Sequence, residues 1–137
     1  MARIMAIDYG KKRTGIAVTD PLQIIATGLE TVDSKQIIPY LKKYFAAEQV
    51  ELLLLGEPLN WDGFPTHATP LVAAFKKEFI KNFPSIPVIG VDERNTSKMA
   101  RQSMVESGMK KKQRQIKENV DIVAATMMLQ EYLQWRT

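Results

Sequence analysis

The chain has 137 residues, a length that suits a single domain with a hydrophobic core of its own. It contains no cysteine and one histidine, which excludes a disulfide framework, a thiolate metal site and a multi-histidine metal site within the chain. The formal net charge of +4 permits a nucleic-acid partner without requiring one.

The first two predicted elements are strands at residues 3–9 and 14–20, which together form a β-hairpin. The first strand is apolar and β-branched, as buried strands are, and Asp8 lies near its end. Gly10 and the cations at 11–13 then open a tight turn. A carboxylate among apolar residues needs a positive partner. Asp8 is therefore either part of a site for a cation or phosphate, or an ordinary turn-capping aspartate.

The rest of the chain alternates strands with helices. The further predicted elements are a strand at 24–31, a helix at 35–47, a strand at 50–55, a helix at 67–82, a strand at 88–91, a helix from 96 or 97 to 106, and a helix starting near 118. Short turns join antiparallel strands, whereas helical crossovers join parallel ones. We therefore predict an α/β fold with a mixed five-stranded sheet, three antiparallel strands followed by two parallel ones, helices on both faces, and one domain over 1–137.

Two local predictions concern the helices. Asp33 and Ser34 offer an N-cap for the helix at 35–47. Leu71, Phe75 and Phe79 are spaced to form the buried face of the helix at 67–82.

Acidic residues lie at the ends of three of the predicted strands and in the first turns of the closing helix. They are Asp8, Glu57, Asp92 with Glu93, and Asp121. In sheets of this kind the functional site lies at the carboxyl ends of the strands. Each acid alone is typical of a solvated surface or a helix cap, but their convergence would make a cluster for divalent cations, Mg²⁺ or Mn²⁺. Two such ions can activate a water and stabilise the leaving oxygen of a phosphodiester.

Five segments carry a recognisable pattern along nearly the whole chain. They are Asp8-Tyr9-Gly10, Lys12-Arg13-Thr14-Gly15-Ile16-Ala17-Val18, Gly56-Glu57-Pro58, Asp92-Glu93-Arg94 with Thr96, and Asp121-Ile122-Val123-Ala124-Ala125. This pattern resembles the YqgF/RuvX family. The resemblance implies an RNase H-like fold and a nuclease that matures the 5′ end of pre-16S rRNA in ribosome biogenesis. The family commonly has Gly-Leu-Pro where this chain has Glu57 at the middle position, so whether Glu57 joins the acidic cluster stays open.

The resemblance also assigns roles to single residues. By motif match, Asp8, Glu93 and Asp121 are expected to be the catalytic, metal-binding carboxylates, with Asp92 close by. Chemistry alone suggests that basic residues beside these acids hold substrate phosphates; these are Lys12, Arg13, Arg94, Lys111, Lys112 and Arg114. Arg94 is equally suited to pairing with an acidic neighbour, and His67 to a structural role or to proton transfer.

Three functions follow as hypotheses. The first is a metal-dependent nuclease acting on pre-rRNA. The second is a Holliday junction resolvase acting on branched DNA, which would require a two-fold dimer, so monomer and homodimer both stay open. The third is a non-catalytic nucleic-acid-binding or ribosome-assembly factor. The N-terminus has no apolar stretch long enough for a signal peptide or a membrane span, so we expect a cytoplasmic protein without a membrane partner.

Overall fold

The computed structural model describes residues 2–57, 69–92 and 117–136. Its elements are β1 (Arg3–Tyr9), β2 (Arg13–Thr19), β3 (Ala26–Asp33), a 3₁₀ turn (Ser34–Gln36), α1 (Ile37–Ala47), β4 (Val50–Glu57), α2 (Thr69–Asn82), β5 (Val88–Asp92) and α3 (Lys117–Arg136). The helix predicted between 96 or 97 and 106 lies outside the described residues. Within them, no helix is long and apolar enough to cross a membrane.

The five strands form one mixed sheet in the order β3-β2-β1-β4-β5. Strand β1 pairs antiparallel with β2, and β2 pairs antiparallel with β3. On its other side β1 pairs parallel with β4, which pairs parallel with β5. This confirms the predicted α/β fold. Because β1 is central, it carries Asp8 between two hydrogen-bonded neighbours.

One face of the sheet is covered by α1 and α2. Its buried cluster comprises Met5, Ile7, Ile16, Val18, Ile37, Leu41, Val50, Leu53, Leu55, Val72, Phe75 and Phe79. The prediction for α2 is wrong at one position, because Leu71 is 38% exposed whereas Val72 is 5% exposed. The buried positions 72, 75 and 79 form a stripe with helical spacing, and position 71 lies beside that stripe.

The opposite face of the sheet is covered by α3. The buried residues there are Ile4, Ala6, Ala17, Leu54, Ala125, Met128 and Leu129. Leu54 belongs to this cluster while its neighbours Leu53 and Leu55 belong to the other, so β4 is covered on both faces. Alanines on both sides of this contact let the helix backbone approach the sheet closely.

Candidate active site

Asp8 is the next-to-last residue of β1 and lies at the carboxyl end of the central strand. It pairs with Gly15 of β2 and is half-buried. Side chains alternate along a strand, so Asp8 lies on the face of Ile4 and Ala6, which is the face that α3 covers. The central carboxylate therefore opens toward the side of the sheet on which α3 lies.

Glu57 lies on the other face. It pairs with Asp92 at the ends of the parallel strands β4 and β5, two residues after Leu55 of the α1–α2 cluster. Its exposed side chain lies directly over Gly90, in the space that a side chain at that position would occupy. Glu57 and Asp8 thus leave the sheet on opposite faces, which disfavours Glu57 as a partner of Asp8.

Helix α3 brings position 121 to the face on which Asp8 lies. Ile122, the next residue, lies over Gly28 of β3. Gly28 pairs with Ala17 of β2, and Ala17 pairs with Ala6 of β1, which lies two residues before Asp8. The backbone at Asp121 therefore belongs to the helix that covers the Asp8 face.

The turn between β1 and β2 supplies the cations nearest to Asp8 in the chain. Lys12 is exposed, and Arg13, the first residue of β2, is half-buried. The turn is tied to the end of β3, because the Ser34 amide donates to the Lys12 carbonyl at 2.9 Å. Asp33 caps the 3₁₀ turn that precedes α1, since its carboxylate accepts from the Lys35 amide at 2.9 Å, whereas α1 itself begins at Ile37 without a side-chain cap.

Sequence reasoning missed the second role of Ser34. It treated the residue as a helix cap, whereas Ser34 is buried and its hydroxyl bonds to the β1–β2 turn. No local sequence signal points to this contact, because it joins two residues that are far apart in the chain.

The donor chemistry of the predicted trio suits hard divalent ions, because carboxylate oxygens are their preferred protein ligands. Asp8 is the one member of the trio whose side chain is described. Among the residues that the structure covers, no group of three or more acidic or histidine side chains is placed to hold a metal ion. The other predicted site residues, Glu93, Arg94, Lys111, Lys112 and Arg114, lie outside the described residues, as does His67.

The fold is shared with solved structures of a junction-cutting protein. One, titled "T. thermophilus RuvC in complex with Holliday junction substrate", is similar with a TM-score of 0.60 and 17% identity, covering 99% of this chain and 96% of that one. A second structure, of Thermus thermophilus RuvC, is similar with a TM-score of 0.58 and 16% identity, covering 98% of this chain and 97% of that one. At these identities the likeness shows the fold alone, which is the RNase H-like fold of the predicted class.

The family is shown by sequence. A family model described as "RuvX: Holliday junction resolvase" matches residues 2–135. A protein of Flavobacterium psychrophilum is 54% identical over 133 residues, covering 97% of each chain, and is named "Putative pre-16S rRNA nuclease". A Flavobacterium johnsoniae protein of the same name is 53% identical over 133 residues, covering 97% of this chain and 96% of its own. The chain belongs to the RuvX family, as its motifs predicted.

Membership fixes the class of chemistry. The protein is a hydrolytic nuclease, and its substrate is a nucleic acid. Nucleases with this fold generally use divalent metal ions.

Proposed function

We propose that the protein is a metal-dependent nuclease that processes the 5′ end of pre-16S rRNA in the cytoplasm, as one domain over 1–137. The observation that carries the proposal is the position of Asp8, at the carboxyl end of the central strand, on the α3 face and beside a basic turn. The names of relatives with more than half of their residues identical favour pre-16S rRNA as the substrate.

In this proposal Asp8, Glu93 and Asp121 hold Mg²⁺ or Mn²⁺ and are the catalytic carboxylates. Divalent ions bound there supply the Lewis acidity and the activated water that phosphodiester hydrolysis requires. Two observations support the trio. Val91, two residues before Glu93, lies in the α3 cluster, and Asp121 precedes the residue that lies over Gly28.

The basic residues hold the phosphates on either side of the cleaved bond. Lys12 lies in the turn that follows β1, and Arg13 begins β2 directly after it. The other proposed phosphate contacts are Arg94, Lys111, Lys112 and Arg114. An acidic, metal-loaded centre needs such a rim, because the substrate is a polyanion whose binding depends on charge neutralisation.

A test compares the parent protein with Asp8→Asn on labelled pre-16S rRNA and on a four-way DNA junction, each with and without Mg²⁺ or Mn²⁺. We expect metal-dependent cleavage of the RNA by the parent. The cleavage rate of Asp8→Asn should fall by more than the roughly 10- to 100-fold typical of residues that contact a metal ligand without binding the metal. Its unfolding curve should be unchanged. Asp20→Asn is the matched control, because Asp20 follows β2 at the opposite end of the sheet, and it should cleave normally.

Equal cleavage by Asp8→Asn, or cleavage that persists in EDTA, would overturn the proposal. The second candidate function is junction resolution, which the description of the matching family favours. Metal-dependent cleavage of the junction but not of the RNA, together with a dimer in solution, would establish that function instead. Binding of either substrate without any cleavage would identify a non-catalytic assembly factor.

A further inference from the structure

The turn between β1 and β2 is held from outside by one buried residue, Ser34. The Ser34 side chain donates to the Gly10 carbonyl at 2.6 Å, and its amide donates to the Lys12 carbonyl at 2.9 Å. Ser34 is 6% exposed although it is polar. One residue at the end of β3 therefore binds both ends of the three-residue turn that follows Asp8 and Tyr9.

Thr14 completes this arrangement. Its hydroxyl oxygen lies 2.8 Å from the Ser34 hydroxyl oxygen, and Thr14 is fully buried. The single hydroxyl proton of Ser34 is directed at Gly10, so Thr14 is the donor to Ser34. The bonds then run in one direction, from Thr14 to Ser34 to the Gly10 carbonyl, and bonds aligned in a chain strengthen one another in a buried setting.

The turn has little freedom of its own. A side chain at Gly10 would lie 2.5 Å from the Arg13 carbonyl oxygen, so the backbone passes too closely there for any other residue. On either side the register is fixed, because Asp8 pairs with Gly15 and Tyr9 with Thr14. The Lys12 side chain is exposed, while its backbone carbonyl is anchored to Ser34.

We propose that Ser34 is a positioning residue for substrate binding, whose hydroxyl holds the Gly10 end of the turn and so keeps the Lys12 ammonium group beside Asp8. This inference rests on the proposed function, in which Lys12 contacts a phosphate. A lysine has a long, mobile side chain, and anchoring its backbone reduces the ordering cost of each phosphate contact. Ser34 itself is shielded from substrate and acts through Lys12.

The test measures RNA affinity in EDTA, so that binding is separated from cleavage. The probe is a fluorescent fragment of pre-16S rRNA that contains the 5′ processing site, and the variants are Ser34→Ala, Lys12→Ala and the double variant. Ser34→Ala removes the hydroxyl bond to the Gly10 carbonyl and keeps the amide bond to the Lys12 carbonyl, so it tests the side chain alone. We expect each single variant to weaken binding about three- to tenfold, within the range of coupled neighbouring residues. The double variant should bind no more weakly than Lys12→Ala alone, because Ser34 has no effect once the ammonium group is gone.

Two threonines of β2 provide a matched control. Thr14 and Thr19 are both fully buried. The Thr14 hydroxyl donates to the Ser34 hydroxyl, and the Thr19 hydroxyl accepts from the Ile4 amide at 2.9 Å. Thr14→Val should weaken RNA binding, since it removes the first donor of the chain that ends at Gly10. Thr19→Val should destabilise the fold comparably and leave the RNA affinity unchanged, because it lies at the far end of β2.

The outcomes separate the two proposals. If Lys12→Ala weakens binding while Ser34→Ala and Thr14→Val do not, or if the effects of Ser34→Ala and Lys12→Ala multiply, the positioning role is overturned and the nuclease assignment stands. If Lys12→Ala binds like the parent, the phosphate contact and the positioning role are both wrong. If Thr19→Val weakens binding as much as Thr14→Val, the effect is loss of stability and the inference fails. If Ser34→Ala does not fold, the comparison of RNA affinity between Thr14→Val and Thr19→Val decides the question alone.

Discussion

At the scale of single residues, two glycines in strands show how closely the layers pack. A methyl group at Gly28 would lie 2.5 Å from Cγ2 of Ile122 and 3.2 Å from the Thr126 hydroxyl oxygen. Isoleucine is branched at Cβ and stiff, so it cannot turn away. At Gly90 the atoms in the way belong to Glu57, whose long side chain is exposed and free to move aside. Gly28 therefore sets the distance between α3 and the sheet, and Gly90 does not.

We predict that Gly28→Ala lowers the free energy of unfolding by about 1–3 kcal/mol, the usual cost of overpacking. It should also slow cleavage, because Ile122 adjoins Asp121. Gly90→Ala should change stability by less than about 1 kcal/mol, since alanine also restricts the unfolded chain. Urea unfolding of both variants checks this, and an equal loss from the two substitutions would contradict the account.

At the scale of elements, the loop between β2 and β3 is organised by hydrogen bonds although it is exposed. The Asp20 carboxylate accepts from the amides of Ile24 and Ile25, at 2.8 Å each, and from that of Leu22 at 3.2 Å. Gln23 has a left-handed backbone with φ of 59°, and its side chain donates to the Ala2 carbonyl at 2.9 Å. The apolar side chains of this loop are therefore held outward, 57% to 66% exposed, by a carboxylate that organises the backbone.

The hydrogen bonds accepted by the Asp20 carboxylate predict that the stability of the protein depends on pH. Hydrogen bonds from backbone amides, that of Ile25 foremost, lower the pKa of Asp20 below its ordinary value of 3.8. A lowered pKa means that the stabilisation is complete above the ordinary value and is lost as the pH falls through the lowered one. Asp20→Ala should be less stable than the parent at pH 7, and this difference should shrink in acid.

Amide hydrogen exchange supplies the local measurement for this prediction. The Ile24 and Ile25 amides should exchange faster in Asp20→Ala, whereas Asp33→Ala, which loses one bond to the Lys35 amide, should leave them unchanged. Unchanged protection of Ile24 and Ile25 in Asp20→Ala would show that the carboxylate does not organise the loop.

At the scale of the whole molecule, one sheet separates two buried clusters. Strand β1 contributes to both, since Ile4 belongs to the α3 cluster and Ile7 to the α1–α2 cluster. Ile7 pairs across the sheet with Ile16, which belongs to its own cluster. Substitutions on opposite sides of the sheet should therefore change stability independently, whereas substitutions of neighbours on one side should be coupled.

We predict that Ile4→Val and Ile7→Val each cost about 0.5–1.5 kcal/mol. Their double variant should be additive within about 0.5 kcal/mol, because the two side chains share no cluster. Ile7→Val with Ile16→Val should depart from additivity by a larger amount, because these residues pair directly. Chemical denaturation of these four variants and of Ile16→Val alone tests this, and strong coupling between Ile4 and Ile7 would show that the two sides are not independent.

Much of this architecture could be predicted from sequence, because apolar runs and turn residues are local signals. They predicted a mixed five-stranded sheet, with three antiparallel strands followed by two parallel ones and helices on both faces. They failed at Leu71 and Val72, where the exact rotation of α2 depends on what it packs against. The role of Ser34 could not be read from sequence, because it depends on the end of β3 meeting a turn that lies more than twenty residues earlier. The faces of Asp8 and Glu57 required the register between β1 and β4.

Helix α3 follows all five strands in chain order and covers the face that carries Asp8. While the protein is being synthesised, the part of that face that α3 buries lacks this partner until residues 117–136 have left the ribosome, and exposed apolar surface of this kind invites chaperones or aggregation. With Asp121 proposed as a metal ligand, the newly made enzyme stays inert until this helix docks. On this proposal, a chain that has not yet docked α3 cannot cut RNA.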